Sequence, residues 1–91
     1  MASEHFFYVL YCHDGTLYGG YTTNPERRLK EHNTGTGAKY TRLASRRPAM
    51  MVHTERFASR SEATKAEYAF KQLTRAKKIS YLHQQGINIS D

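Results

Sequence analysis

Hydrophobic and polar positions divide the chain into short segments of different period. Residues 6–12, FFYVLYC, are apolar or aromatic without interruption. The run is too short for a helix and rich in aromatic residues, so it predicts a strand covered on both faces. Residues 16–21, TLYGGY, predict a second strand, and His13-Asp14-Gly15 between them predict a hairpin turn. Asn24-Pro25 pairs a capping residue with proline at a first helical position, so a helix starts there and runs to about His32 or Asn33. Leu29 is its one strong apolar anchor. Arg28 and His32, four apart and flanking Leu29, fall on the face that Leu29 pins to the body; Arg27, Lys30 and Glu31 are left to solvent. Residues 33–37, NTGTG, form a flexible connection, and residues 37–47, GAKYTRLASRR, have room for a helical turn. Pro48 leads into a third strand at about 49–57, with His53 on its surface. Ser59-Arg60-Ser61-Glu62 is a capping box. It opens a helix to about Leu73 or Thr74 with an apolar stripe of Ala63, Ala66, Ala69, Phe70 and Leu73. A last helix over about 75–85, docked by Ile79 and Leu82, ends at Gly86. The tail, 87–91, reads as loose. The pattern is α+β, with strands and helices in the order β-β-α-β-α-α. It makes one domain over 1–91, with its core at about 6–85.

The hairpin register decides which side chains share a face. A two-residue Asp14-Gly15 loop pairs Tyr11 with Tyr18 and puts Tyr8 and Tyr18 on opposite faces, because a slip of one residue reverses every side chain. A three-residue loop, with Gly15 left-handed in a bulge, pairs Leu10 with Tyr18 and Tyr8 with Gly20. Periodicity leaves both open. Gly19-Gly20 inside a strand marks either a sheet bend or a close approach by another backbone or a ligand.

Composition adds one domain's worth of chain: 91 residues, 38% hydrophobic and 24% charged. Four of the seven tyrosines, Tyr8, Tyr11, Tyr18 and Tyr21, lie in the two predicted strands. A phenol is costly to bury unless its hydroxyl finds a partner, so this concentration points to polar chemistry as well as packing. Cys12 is the only cysteine, which excludes an internal disulfide. At the end of an apolar run it reads as a buried, inert thiol. No apolar run approaches the ~20 residues of a membrane helix, and residues 1–5 lack the basic start of a secretory leader. These features lead us to expect a cytoplasmic protein with no membrane partner.

Charge changes the picture more. The net charge is +6 and the pI about 9.7, which draws a domain to polyanions. No acid lies between Glu31 and Glu55, a gap that carries Lys39, Arg42, Arg46 and Arg47. None lies between Glu67 and Asp91, a gap that carries Lys71, Arg75, Lys77 and Lys78. Two such clusters point to phosphate contacts. Tyr40, set among basic residues, suits contact with nucleic acid or burial in a turn. Glu67 stands at the edge of the apolar stripe, where a carboxylate needs a cation partner, either a side chain or a metal.

The residues together resemble the GIY-YIG nuclease superfamily, and most of all its small stand-alone domains. The nuclease domains of structure-specific endonuclease subunits and the N-terminal domain of UvrC are also similar. The two signatures appear as Phe6-Phe7-Tyr8 and Tyr18-Gly19-Gly20. Arg28-Leu29-x-x-His32-Asn33, the GAKYT at 37–41 and the stretch from Glu55 to Leu73 match as well. By position, Tyr8, Tyr18, Arg28, His32 and Glu67 match the family's reacting residues, with Glu67 as metal ligand. Gly20 matches the second signature. Phe6 stands where the name-giving glycine would be, Gly19 where a branched residue is usual, and Asn88 is only near a family asparagine.

The resemblance implies a three-stranded antiparallel sheet flanked by helices, in agreement with the element order, and a metal-dependent endonuclease acting on branched or damaged DNA, with Mg²⁺ or Mn²⁺ held by Glu67. Arg28 then stabilises the phosphate oxygens, and Tyr8 or Tyr18 takes the proton of the attacking water. An ordinary tyrosine titrates near ~10, so nearby cations must lower it. His32 orients that tyrosine or takes its proton. Gly20, Lys39, Tyr40, Arg42, Arg46, Arg47, Lys71 and Arg75 are the expected contacts to the DNA backbone, and a protein partner is the expected source of target choice. A binding module with the same fold and little cleavage is the alternative. The mechanism needs all five reacting residues on one face, which requires the three-residue turn.

Overall fold

The computed structural model describes residues 4–89. Its sheet has the order β2-β1-β3, all antiparallel. The central strand β1, His5–Tyr11, is the uninterrupted apolar run, and both of its faces are covered as that run requires. Strand β2, Leu17–Thr22, pairs Leu10 with Tyr18 and Tyr8 with Gly20. The turn therefore has three residues. Gly15 sits at φ +85°, Gly15 N–H donates to Cys12 O at 2.8 Å, and Cys12 N–H donates to Thr16 O at 2.9 Å. Only a residue without a Cβ adopts that φ at little cost.

Tyr8, Leu10 and Cys12 point to one face, where Leu29, Tyr40 and Met51 pack on them. Phe7 and Val9 point to the other, against Phe70, Leu82 and Leu17. Helix α1, Pro25–Asn33, lies on the first face; the Asn24 side chain caps it by accepting from Arg27 N–H at 3.1 Å. A short helical turn α2, Lys39–Arg42, follows, then a 3-10 turn at Ala44–Arg46. Strand β3, Met50–Phe57, pairs with β1 through a register shift at Val9/Leu10. Helix α3, Arg60–Lys71, is capped by Ser59 and packs on the second face. Helix α4, Arg75–Gln84, is capped by Thr74, with Gly86 at φ +83° beyond its end.

Three expectations are corrected. Ala69 is exposed, so the buried stripe of α3 is Ala63 and Phe70, with Ala66 and Leu73 at its margin. The chain after Gly86 is docked: Ile87 packs on the core and Ile89 is only 8% exposed. Ser90 and Asp91 lie outside the described residues. His53 is not a surface residue. It lies edge-on to Phe7 and Tyr81, and its Nε2 is 2.9 Å from Glu55 Oε2.

Candidate active site

The hairpin register brings Tyr8 and Tyr18 to the face on which α1 presents Arg28 and His32. Tyr8 Oη is 2.7 Å from His32 Nε2, and Arg28 Nε donates to Tyr8 Oη at 3.4 Å. His32 Nδ1 is 2.6 Å from Thr41 Oγ1, which donates to Ala38 O at 3.3 Å. Tyr8, His32 and Thr41 are all essentially inaccessible to solvent. The Tyr18 ring stands edge-on to the His32 ring and stacks on Tyr40 with centroids 5.0 Å apart. Arg28 is held from its other side by Glu31 Oε1 at 3.1 Å, so Glu31 is not simply solvated.

The segment 37–41 forms a bracket around His32. A Cβ at Gly37 would lie 2.8 Å from His32 Nδ1, so glycine lets the backbone close against the ring. Thr41 then meets Nδ1, and Tyr40 backs Tyr18. Thr41 is the polar partner that sequence patterning did not single out. Its only signal there was a place in the GAKYT match.

Burial dominates the electrostatics. It pushes the Tyr8 phenol up to about 12; the Arg28 hydrogen bond and charge oppose this, while Tyr18 and the Glu67 carboxylate add to it. The expectation that cations lower this tyrosine is therefore corrected: in the resting protein Tyr8 is a neutral donor. Burial, helped by the Arg28 charge, lowers His32 to about 4, so its ring is neutral at ordinary pH.

Glu67 comes from α3, the helix packed on the other face, so the expectation of all five residues on one face is corrected: four share the face of α1, and the fifth is carried by a helix of the other. Glu67 Oε2 pairs with Lys71 Nζ at 3.0 Å, and Lys71 Nζ lies 5.3 Å from the Tyr18 ring centroid. The cation partner expected for Glu67 is thus a lysine one turn on. Glu67 Oε1 has no partner among the described residues. These residues contain no group of three His, Cys, Asp or Glu side chains able to cage an ion. One half-buried carboxylate suits a hard cation that keeps most of its waters, so the donor set fits Mg²⁺ or Mn²⁺.

The two basic clusters differ. Arg46 pairs with Asp14 at 3.1 Å, donates to Tyr40 O and covers the Tyr40 ring at 3.8 Å. Arg47 lies against Gly35 and donates to Arg42 O. Lys39 and Arg42 are exposed. In the second cluster Arg75 donates to Gly15 O at 2.7 Å. Lys78 rests over Phe70 at 5.4 Å with no hydrogen bond or carboxylate partner among the described residues. Arg75 and Lys78 share a shallow depression of about 200 Å³ with Thr16, Leu17 and Tyr40. Gly20 is corrected as a surface contact. It is buried, and a Cβ there would lie 2.3 Å from Tyr8 Cζ, so the missing side chain makes room for the phenol.

A polar depression of about 210 Å³ lies at Arg28, Glu31, Tyr21 and Thr22. A larger apolar one, about 370 Å³, opens on the other face between Phe7, Phe70, Leu73 and Tyr81, away from these groups. A shallow polar face suits a polymer rather than an enclosed small molecule. No helix among the described residues is long and apolar enough to cross a membrane.

Residues 4–80 match the family described as the GIY-YIG catalytic domain. A UPF0213 protein of Enterococcus faecalis is 73% identical over 79 residues, spanning 87% of this chain and 90% of that protein. One from Lactiplantibacillus plantarum is 54% identical over 86 residues, spanning 94% of this chain and 85% of its own. The solution NMR structure of an E. faecalis protein aligns with TM-score 0.61 at 69% identity, covering 91% of this chain and 86% of that one. That of a UPF0213 protein from Bacillus halodurans aligns with TM-score 0.60 at 46% identity, over the same shares of the two chains.

Proposed function

The chain belongs to the GIY-YIG catalytic-domain family, and from that premise we propose that it is a divalent-metal-dependent endonuclease that hydrolyses phosphodiester bonds in DNA. The observation that carries the reading is the Tyr8–His32 contact of 2.7 Å beside Arg28, with Glu67 near enough for its charge to act on the same phenol.

Each residue then has a task. Glu67 would hold Mg²⁺ or Mn²⁺, which would polarise the phosphate and stabilise the departing 3′ oxygen. Lys71 neutralises the Glu67 carboxylate. Arg28 places fixed positive charge at the non-bridging oxygens. In turning to them it uncovers Tyr8 Oη. Tyr8 takes a proton from the attacking water while passing its own to His32 Nε2, so no free phenolate has to form. Tyr18 walls His32 off from solvent. Lys39, Tyr40, Arg42, Lys71, Arg75 and Lys78 follow the DNA backbone, whereas Arg46 and Arg47 serve the fold. Branched or damaged DNA is the preferred substrate, and a protein partner supplies target choice.

A binding module with little cleavage is favoured by two observations: Tyr8 is sealed from solvent, and Glu67 is already paired with Lys71. The purified protein is offered single-stranded, duplex and branched DNA with Mg²⁺ or Mn²⁺, beside Glu67→Ala. Metal-dependent cleavage that the substitution abolishes supports the endonuclease. Salt-dependent binding without cleavage in either metal selects the binding module.

A further inference from the structure

The proton count around Tyr8 leads to a role for Thr41. Three buried polar groups stand in a row, and each hydrogen must find an acceptor. The Thr41 hydroxyl donates to Ala38 O at 3.3 Å, beside the Arg42 N–H that the same carbonyl accepts at 3.1 Å. Thr41 Oγ1 is then the acceptor for His32 Nδ1–H at 2.6 Å. That leaves Nε2 with a lone pair facing Tyr8 Oη at 2.7 Å.

The other end of the row gives the same answer. Arg28, the second neighbour of Tyr8 Oη, is a donor only. If Nε2 carried the hydrogen, two donors would point at Tyr8 Oη. Its own hydrogen would have no acceptor among the described residues, in a place with almost no solvent access. Only the Nδ1–H form of His32 satisfies every group.

We propose that Thr41 is a positioning residue that holds His32 in its Nδ1–H form and so fixes the direction in which the Tyr8 proton leaves. The inference rests on the endonuclease reading for its consequence, but not for the tautomer. In the hydrolytic step the water O–H bond breaks and its proton joins Tyr8 Oη. The Tyr8 O–H bond breaks and its proton joins Nε2, giving an imidazolium whose Nδ1–H still donates to Thr41. The hydroxide electron pair forms the new P–O bond as the P–O3′ bond breaks, and the 3′ oxygen is protonated from solvent. The imidazolium later returns its proton to solvent. With the opposite tautomer Nε2 has no lone pair and the relay cannot start.

The test compares native protein, Thr41→Val and Thr41→Ser. Long-range ¹H–¹⁵N NMR of His32 between pH 6 and 8 is expected to show a protonated Nδ1 and a bare Nε2 in the native protein and in Thr41→Ser. Thr41→Val is expected to lose that pattern. Its cleavage kcat should fall about 10- to 100-fold with KM nearly unchanged, and Thr41→Ser should restore the rate. A protonated Nε2 in the native protein overturns the proposal even if DNA is cut. So does native kcat in Thr41→Val. If the native protein shows the Nδ1–H form but cleaves no DNA in either metal, the endonuclease reading fails and Thr41 is left with a structural role only.

Discussion

His32 has lost its contact with water, and this has a consequence for stability. In an unfolded chain a histidine titrates near 6.5, while here burial and the Arg28 charge bring it to about 4. Between those values the unfolded chain binds the extra proton and the folded one does not. Stability is therefore full above about 6.5 and falls as the pH drops through about 4, by about 3 kcal/mol in all. NMR titration of the His32 ring checks this, and a midpoint at or above 6.5 contradicts it. Sequence spacing placed Arg28 and His32 on the inner face of α1 because helical geometry fixes that face. It could not show how far Tyr8 and His32 are shifted, since those shifts come from burial by α1 and the 37–41 segment together. Gly19 is similar. Where the family usually has a branched residue, a Cβ would meet Phe70 Cδ2 at 2.8 Å, so the aromatic ring occupies that volume.

At the scale of elements, α1 must be held firmly, because it carries both Arg28 and His32. Its N-terminus is capped by Asn24, and its last residue is clamped to the chain entering β3. Asn33 Nδ2 donates to Ala49 O at 3.1 Å, and Ala49 N–H donates to Asn33 Oδ1 at 2.7 Å. Asn33→Ala leaves both backbone groups unpartnered and is expected to cost about 1–3 kcal/mol, a fall in Tm of several degrees by thermal denaturation. An unchanged Tm would mean that the clamp is dispensable. The hairpin was legible only in part. Turn residues gave its position, but two loop lengths remained open until the need for Tyr8 and Tyr18 on one face selected the longer. The 37–47 stretch was harder still. Its aromatic and basic residues read as a nucleic-acid surface, yet much of it faces inward: Gly37 and Thr41 on His32, Tyr40 on Tyr18, and Arg46 on Tyr40. Local composition does not reveal which side of a short turn meets the body.

The whole molecule is a sheet with α1 and α2 on one face and α3 and α4 on the other. The proposed site lies on the first face, and Lys71 reaches it from α3. Element order and family were legible because strand periods, caps and signature residues all agree. Charge was legible as a total but not as a surface, since Arg46 and Arg47 are committed to internal contacts while Lys78 has no anionic partner among the described residues. The central claim is that the Tyr8 hydroxyl and His32 together accept the water's proton during phosphodiester cleavage. Tyr8→Phe keeps the buried ring and removes only the hydroxyl, so its single-turnover cleavage of DNA in Mg²⁺ or Mn²⁺ is the most direct test. The predicted result is a rate lower by about 100-fold or more with DNA affinity nearly unchanged. Cleavage by Tyr8→Phe at the native rate would contradict the account.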